Sequence, residues 1–584
     1  MYYRLFDFAH KQLRENPLQE MMRSRCAGEW VTYSTQQFMN DVMKLSNGLV
    51  EYGIQPGDKV ALITDGNRVE WNIADHACLQ IGAIDVPIYP TMSETDIAYI
   101  LNHSEARICF VSNEDLYRKV QNVMDDVSEL ENVFTFEHVA GAKHWTSLFA
   151  IATLASDEVQ RRMNNIQSSD LATIIYTSGT TGLPKGVMLS HANIASNVVN
   201  CVDRLPYLAK GNSKCISFLP CCHIYERMLH YLYIDNGVFI TLTGMENIKD
   251  DIFFVRPNMF TAVPRLLEKF FDGIMAKGLS NTGIKKILFQ WAVKLALKWE
   301  PDGQNGGWYE FKLKLANKII FSKVREALGL TEIGAIASGS AALQPRLARF
   351  FTAAGIPVKE GYGLTETSPV ISVNTLRKPH MYRVGGVGMP INECEVKIAA
   401  DGEILCKGPQ VMMGYYKNEE ATREVLKDGY FHTGDIGELR DGFLFITDRK
   451  KELFKTSGGK YIAPQTLENA LKASHYVEQC MVIGDGQKFP AAIIVVDLAF
   501  AKSAIKELAN LSPEEIVAHP AVKEAVQRDI SSMNEHFGSW ERIKAFHLSA
   551  HPFTVDKGEI TPTLKLKRKR ILENYHDAIT HIYA

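Results

Sequence analysis

The sequence predicts an α/β fold class: a large N-terminal domain of parallel or mixed sheets covered by helices, plus a smaller α+β C-terminal domain. Three observations carry that expectation. The chain has 584 residues, more than one ordinary hydrophobic core accommodates. Its first 200 residues alternate helical and extended patterns, as strands joined by crossover helices do. After about residue 446 the turn-rich run Asp448-Arg449-Lys450-Lys451 leads into a new mixture of helix and strand patterns. The domains are therefore set at 1–449 and 450–584, with a distinct helical segment, 265–330, inside the first.

The elements justify this in order. Phe38 to Glu51 has helical spacing and stops at Gly53. Pro56-Gly57-Asp58 is a turn, and Lys59 to Thr64 reads as a buried strand. Trp71 to Ile81 is helical again, and Asp85 to Tyr89 extended. Ser93 with Asp96 three residues on marks a helix start. Arg107 to Ser112 is the next strand, and Leu171 to Ile175 another. Segment 265–330 is mostly helical, broken by Gly303-Gln304-Asn305-Gly306-Gly307. Ile284, Leu288, Trp291, Leu295 and Trp299 share one helical face, expected to be its buried side. Nine basic against four acidic residues lie between 283 and 326, which suits either a solvated lysine face or an anionic membrane surface. In the C-terminal part a helix is expected near 464–473 and strands near 477–483 and 490–497.

Composition narrows the function. A hydrophobic fraction of 46% with 22% charged residues is that of a globular protein, and a net charge of -3 gives no reason to expect nucleic acid. The ten cysteines are scattered without a CxxC pair, which reads as reduced thiols rather than disulfides or zinc. The start lacks a signal-peptide pattern, and no apolar run approaches the ~18 residues of a span. The expectation is a cytoplasmic protein, with peripheral membrane contact left open.

The strongest chemical signal is Tyr176-Thr177-Ser178-Gly179-Thr180-Thr181-Gly182-Leu183-Pro184-Lys185-Gly186, directly after a buried strand. Glycines let backbone N–H groups turn toward an anion, hydroxyls add donors and Lys185 adds charge, a set suited to a triphosphate. Pro184 stands where a Walker loop needs its second glycine, so that motif is excluded. Ser338-Gly339-Ser340-Ala341-Ala342 is not a hydrolase elbow, because Ile336 replaces its first glycine. Glu360-Gly361-Tyr362-Gly363-Leu364-Thr365-Glu366-Thr367 is not a dinucleotide fingerprint, because Glu366 replaces the third glycine.

Together, and in this order, these segments resemble the acyl-adenylate-forming superfamily of acyl-CoA synthetases, luciferases and adenylation domains, across about 170–570. The resemblance implies that Thr177 to Gly182 and Lys185 bind the phosphates of ATP. It implies that Gly339, Ser340 and Ala341 lie along adenine and the acyl carboxylate. Glu360, Gly361, Tyr362 and Gly363 are implied around adenine, Thr365 at the α-phosphate, and Glu366 with Thr180 at Mg²⁺. His223, in Leu219-Pro220-Cys221-Cys222-His223-Ile224-Tyr225-Glu226-Arg227, is implied to line the acyl site, although a lone histidine is also at home in a core. That segment holds no aspartate of the kind that pairs a substrate amine in amino-acid-activating relatives, which points to an acid without an amino group. Asp435 and Arg449 match the ribose-binding pair, Lys451 the hinge, and Ser457, Gly458, Gly459 and Lys460 a loop for coenzyme A. Thr561-Pro562-Thr563-Leu564-Lys565 resembles the loop of the adenylation lysine, assigned to Lys565 with Lys567 as the rival; the usual glycine before it is absent.

The helical segment, the LPxxHxxER form and the TPTxKxKR ending look most like the long-chain fatty acid–CoA ligase branch. The implied reaction is ATP-dependent conversion of a long-chain fatty acid to acyl-CoA, with coenzyme A as co-substrate and AMP and pyrophosphate released. Medium-chain or aromatic acids, loading of a carrier protein, a luciferase-like oxygenase and a non-catalytic lipid-binding relic are the alternatives. Lys185, Glu366, Asp435 and Lys565 together speak against the relic.

Overall fold

The computed structural model describes every residue except 1–2, 152–155, 178–182, 207, 209–210, 555 and 562–564. The chain divides into two compact units, one of 1–396, 406–432 and 440–444, the other of 397–405, 433–439 and 445–584. It changes unit inside the strands Glu395–Ile398, Glu403–Lys407, Tyr430–Arg440 and Phe443–Arg449. The sequence pattern instead sets one boundary at 449/450, where turn-forming residues cluster. Alternation along a strand carries no mark of which unit each half joins.

The first unit contains two large sheets. An eight-stranded sheet runs in the order Gly414–Tyr415, Lys185–Ser190, Leu171–Thr177, Ile84–Ile88, Lys59–Ile63, Ala106–Val111, Asn132–Thr135, Lys143–His144. Its strands from Leu171–Thr177 onward are parallel, and Lys185–Ser190 returns antiparallel. A nine-stranded sheet carries Val358–Gly363, Ala335–Ser338, Met259–Ala262, Lys214–Ser217 and Phe239–Leu242 side by side in parallel. Strand Ile84–Ile88 is buried throughout, as a parallel strand covered on both faces must be.

Local signals set the helix ends. Thr35–Tyr52 starts at a capping box between Ser34 and Gln37 and stops at Gly53, whose φ of 104° only glycine adopts readily. Glu94–Ser104 starts where Ser93 Oγ accepts from Asp96 N. Helix Val69–Gln80 is buried on all sides, so it shows little amphipathic periodicity.

A polar cluster ties four elements of this unit together. The fully buried Arg227, on helix Ile224–Asp235, donates from Nη1 and Nη2 to both carboxylate oxygens of Asp85, at 2.9 and 2.5 Å. It also donates to Asp75 at 2.5 Å and to Thr173 at 2.9 Å, while the Tyr231 hydroxyl donates to Asp75. Helices Ile224–Asp235 and Val69–Gln80, strand Ile84–Ile88 and the strand leading to Thr177 thereby meet at one guanidinium. Only Arg offers enough fixed donors for this.

Segment 265–330 forms helices Pro264–Leu279, Gly283–Ala296 and Gly307–Ala316, the last continued through Asn317–Phe321 and Ser322–Ala327. The most deeply buried face is offset from the expected one, although Trp291, Leu295 and Trp299 still pack partly buried against the core. Phe289, Ala292, Val293 and Ala296 point inward, whereas Ile284 is 75% exposed and Leu288, Trp291 and Leu295 are half-buried. The seam is rotated by about 100°, one residue of helix. The reason is steric: Gly278 on the neighbouring helix leaves room for the Phe289 ring, which a Cβ there would meet at 2.1 Å. Shape selected the seam, and hydrophobicity alone could not rank it.

The second unit holds a three-stranded sheet, with Ala491–Val496 between antiparallel Val477–Ile483 and parallel Ala545–Ser549. Helix Pro464–Leu471 matches the expected 464–473, and Pro520–Asn534 packs against it. Arg568 is anchored by Glu452 at 2.9 Å and Glu468 at 2.8 Å.

Candidate active site

The first unit gathers its predicted site residues at the carboxyl ends of parallel strands, where α/β sheets open a crevice for ligands. Thr177 ends strand Leu171–Thr177 and lies directly opposite Lys185 in antiparallel register. The glycine- and hydroxyl-rich run between them, Ser178, Gly179, Thr180, Thr181 and Gly182, lies outside the described residues. Its root is well fixed: buried Tyr176 shares a 2.7 Å hydrogen bond with His103 Nδ1.

Val358–Gly363 continues into a single turn, Thr365–Thr367, that packs on strand Lys185–Ser190. Gly363 has to be glycine, since a Cβ would stand 1.7 Å from the carbonyl oxygen of Pro369. Leu364 N donates to Thr367 Oγ1 at 3.0 Å, and Asn197 holds the carbonyl of Val370, so the turn is rigid. Glu366 is half-buried on it, and its own carbonyl accepts from Met412 N at 2.8 Å.

Tyr415 joins this turn to the lysine. Its hydroxyl donates to Glu366 Oε1 at 2.9 Å, and Lys185 Nζ stands 5.0 Å from its ring centroid. Burial and the adjacent carboxylate push the phenol up, so it stays a donor. Glu366 Oε2 makes no hydrogen bond to a described residue. A half-buried carboxylate on a turn packed against strand Lys185–Ser190 fits a hard cation that takes its other ligands from phosphate and water. Among the described residues no cluster of three or more His, Cys, Asp or Glu could hold a metal unaided. Mg²⁺ brought in with a nucleotide is the case this chemistry suits. Thr180, the other expected ligand, is not described.

Ser338 pairs with Glu360 in parallel register, so Gly339, Ser340 and Ala341 leave the sheet beside Glu360 and Gly361. Ser340 has a φ of 69°, and Leu343 N donates back to the Glu360 carboxylate at 3.0 Å. Burial pushes Glu360 up to about 7, the backbone donor opposing the shift. A Cβ on Gly339 would come within 3.3 Å of the Tyr225 ring, which brings the start of helix Ile224–Asp235 to this turn. His223 is the N-cap of that helix, its Nδ1 accepting from Tyr225 N at 3.1 Å. With Nδ1 an acceptor, the neutral ring carries its proton on Nε2. Tyr362 follows on the same strand and is half-buried.

The second unit holds the other predicted residues. Asp435 is almost wholly buried, with Arg449 Nε 3.5 Å away. Lys450 N donates to Gly434 O at 2.8 Å, and Lys450 Nζ is held by Asp401 and Glu403 at 2.6 and 2.8 Å. Lys451, next along, is exposed. Ser457, Gly458, Gly459 and Lys460 form the tight connection between strands Phe454–Lys455 and Tyr461–Ile462, with Gly459 at a φ of 76°. Lys565 is exposed and closes a loop: its N donates to Thr561 Oγ1 at 3.0 Å and its carbonyl accepts from Thr561 N at 2.8 Å. Residues 562–564 within that loop are not described. Lys567 is exposed too, its N donating to Glu559 O.

Two features escaped the sequence reading. Tyr415 gave only a Gly-Tyr pair in an irregular stretch. The Arg227 cluster did leave a signal, because Asp85 interrupts an otherwise apolar strand and required a buried partner.

Strand ends that bring Lys185 and the Glu366 turn together suit the phosphates and metal of a nucleotide. The chain matches the AMP-binding enzyme family over residues 10–416 and the AMP-binding enzyme C-terminal domain over 452–584, and it belongs to that family. It is 32% identical to the long-chain-fatty-acid–CoA ligase FadD15 of Mycobacterium bovis, over 99% of this chain and 96% of the relative. It is 34% identical to the peroxisomal long chain acyl-CoA synthetase 6 of Arabidopsis thaliana, covering 95% and 82% respectively. Its fold resembles the anthranilate CoA ligase AuaEII in complex with anthranoyl-AMP, with a TM-score of 0.74 at 18% identity over 99% and 98% of the two chains. It also resembles the Bacillus subtilis O-succinylbenzoate coenzyme A synthetase MenE with ATP and magnesium, with a TM-score of 0.67 at 20% identity over 96% and 98%.

Proposed function

We propose that this chain is an AMP-forming ligase that joins a long-chain fatty acid to coenzyme A through an acyl-adenylate. The observation that carries the reading is the Lys185–Tyr415–Glu366 grouping at the strand ends. Full-length likeness to long-chain fatty acid–CoA ligases supports the choice of substrate.

In the first half-reaction the acid's carboxylate attacks the α-phosphorus of ATP, and pyrophosphate leaves. Both partners are anions, so charge neutralisation and in-line placement dominate the barrier. Lys185 and the hydroxyl-rich run 177–182 are assigned to the phosphates, Thr365 to the α-phosphate, and Glu366 with Thr180 to Mg²⁺. Bound there, Mg²⁺ would offset phosphate charge. Gly339 to Ala341 and Glu360 to Gly363 are assigned to adenine and the reacting carboxylate, and His223 to the acyl site. Asp435, an acceptor-only group, suits the two ribose hydroxyls with Arg449 beside it.

Lys565 is assigned to adenylation, with Lys567 as the rival. In the second half-reaction the thiol of coenzyme A attacks the acyl carbon and AMP leaves. Ser457 to Lys460 are assigned to coenzyme A, and Lys451 to the hinge about which the second unit would present these residues in turn. A cytoplasmic location with peripheral membrane contact belongs to the same proposal, because a long-chain acid partitions into lipid.

The test is product formation with ATP, Mg²⁺ and coenzyme A across a panel of fatty and aromatic acids. AMP and acyl-CoA in equal amounts, favouring long chains, are expected. ADP as product, or no acid dependence, would refute the proposal.

A further inference from the structure

Among the described residues no helix is long and apolar enough to cross a membrane. The helices of segment 265–330 nevertheless carry large apolar side chains that stay exposed among the described residues. Trp308, Phe311 and Leu315 recur at i, i+3 and i+7, one face of helix Gly307–Ala316, and Ile319 follows in the next turn. Ile284 and Ile287 occupy the first turns of helix Gly283–Ala296. These six side chains are between 37 and 75% exposed.

The two helices lie side by side. The Tyr309 hydroxyl donates to Leu295 O at 2.9 Å, and the chain turns back between them through 297–306. The start of one helix therefore stands level with the end of the other, and the exposed groups are spread along one hairpin. The Trp308 and Phe311 rings stack at 5.5 Å with 10° between their planes.

The charges flanking this stripe are lysines, Glu310 lying on the far side of helix Gly307–Ala316. Lys312 extends over the Trp308 ring, its Nζ 5.1 Å from the centroid, and Lys314 and Lys318 are exposed beside the stripe. Lys285 and Lys286 lie between the two isoleucines. Trp and Phe with Ile and Leu on one face and a lysine border are what a helix lying in a bilayer interface presents. A second copy of this chain would bring lysine against lysine, whereas an anionic lipid headgroup layer is complementary.

We infer that this hairpin is a docking surface for an anionic lipid bilayer, entered by Trp308, Phe311, Leu315, Ile319, Ile284 and Ile287 and held by the bordering lysines. This deepens the membrane contact proposed above, and the ligase reading does not depend on it.

The experiment is co-sedimentation of the full chain, without ATP, acid or coenzyme A, with vesicles of phosphatidylcholine alone and with added phosphatidylglycerol. Partitioning should rise with phosphatidylglycerol and fall with salt. The pair Trp308→Ser/Phe311→Ser should weaken it on the order of tenfold or more. The pair Lys312→Glu/Lys318→Glu should remove the preference for phosphatidylglycerol. Both pairs should keep the wild-type rate on a short, water-soluble acid, which checks folding. Equal partitioning of wild type and variants, or none of the wild type, would overturn the inference. So would sedimentation equilibrium showing a wild-type dimer that either pair dissolves, since the face would then join two copies.

Discussion

Arg227→Met removes the only cation among the groups that bind one another in the first unit's central polar cluster. The guanidinium is fully buried and donates to Asp75 and Asp85, themselves 1% or less exposed. Burial pushes Asp85 up to about 8 even with Arg227 in place. Methionine fills much of the same volume, so the loss is chiefly electrostatic. Breaking a buried pair while leaving its partner charged costs about 3–5 kcal/mol, against a typical domain stability of about 5–15 kcal/mol. The effect has a pH signature. A carboxyl whose folded value lies above its unfolded one contributes stability at low pH that disappears as pH rises through the folded value. Removing the guanidinium pushes Asp85 further up, so the deficit of Arg227→Met should be smallest near pH 5 and grow once the pH passes about 8, where wild-type Asp85 ionises. Urea unfolding followed across that range measures it. Adding Asp85→Leu to Arg227→Met should restore more than half of the loss by removing one stranded charge. A pH-independent loss below about 1 kcal/mol, the size of a surface pair, would refute the reasoning.

Tyr415→Phe keeps the ring near Lys185 and deletes one charge-assisted hydrogen bond, worth about 1.5–3 kcal/mol. The Mg²⁺ concentration giving half-maximal AMP formation should rise at least tenfold, and an unchanged Mg²⁺ dependence would remove Tyr415 from the site. Glu360→Gln should match wild-type stability near pH 4 and exceed it by about 3 kcal/mol above pH 8. The ionised form of Glu360, pushed up to about 7, is what destabilises the wild type there, and parallel thermal unfolding curves would count against this. Lys565→Ala should lose adenylation yet still transfer the acyl group of supplied acyl-AMP to coenzyme A. If Lys567→Ala shows that pattern instead, the rival lysine holds the role.

Much of the fold could be read from local chemistry. Gly53 and Ser93 mark helix ends within a residue or two, and alternating helix and strand patterns required largely parallel sheets. What escaped depends on contacts between distant segments. The Gly283–Ala296 helix buries a face chosen by Gly278, which no pattern within that helix records. Asp85 pointed to a buried partner, but its identity as Arg227, 142 residues away, required the fold. The phosphate and acid segments were visible as motifs because glycine, hydroxyl and charge must fall at fixed spacing. Tyr415 was not, because its role comes from lying against Glu366 on another segment.

The central claim is that the acid meets ATP before coenzyme A takes part. Exchange of labelled pyrophosphate into ATP tests this most directly, with the fatty acid and Mg²⁺ present and coenzyme A left out. The account predicts acid-dependent exchange that disappears in Lys185→Ala and Glu366→Ala. Exchange that needs coenzyme A, or that survives both substitutions, would contradict it.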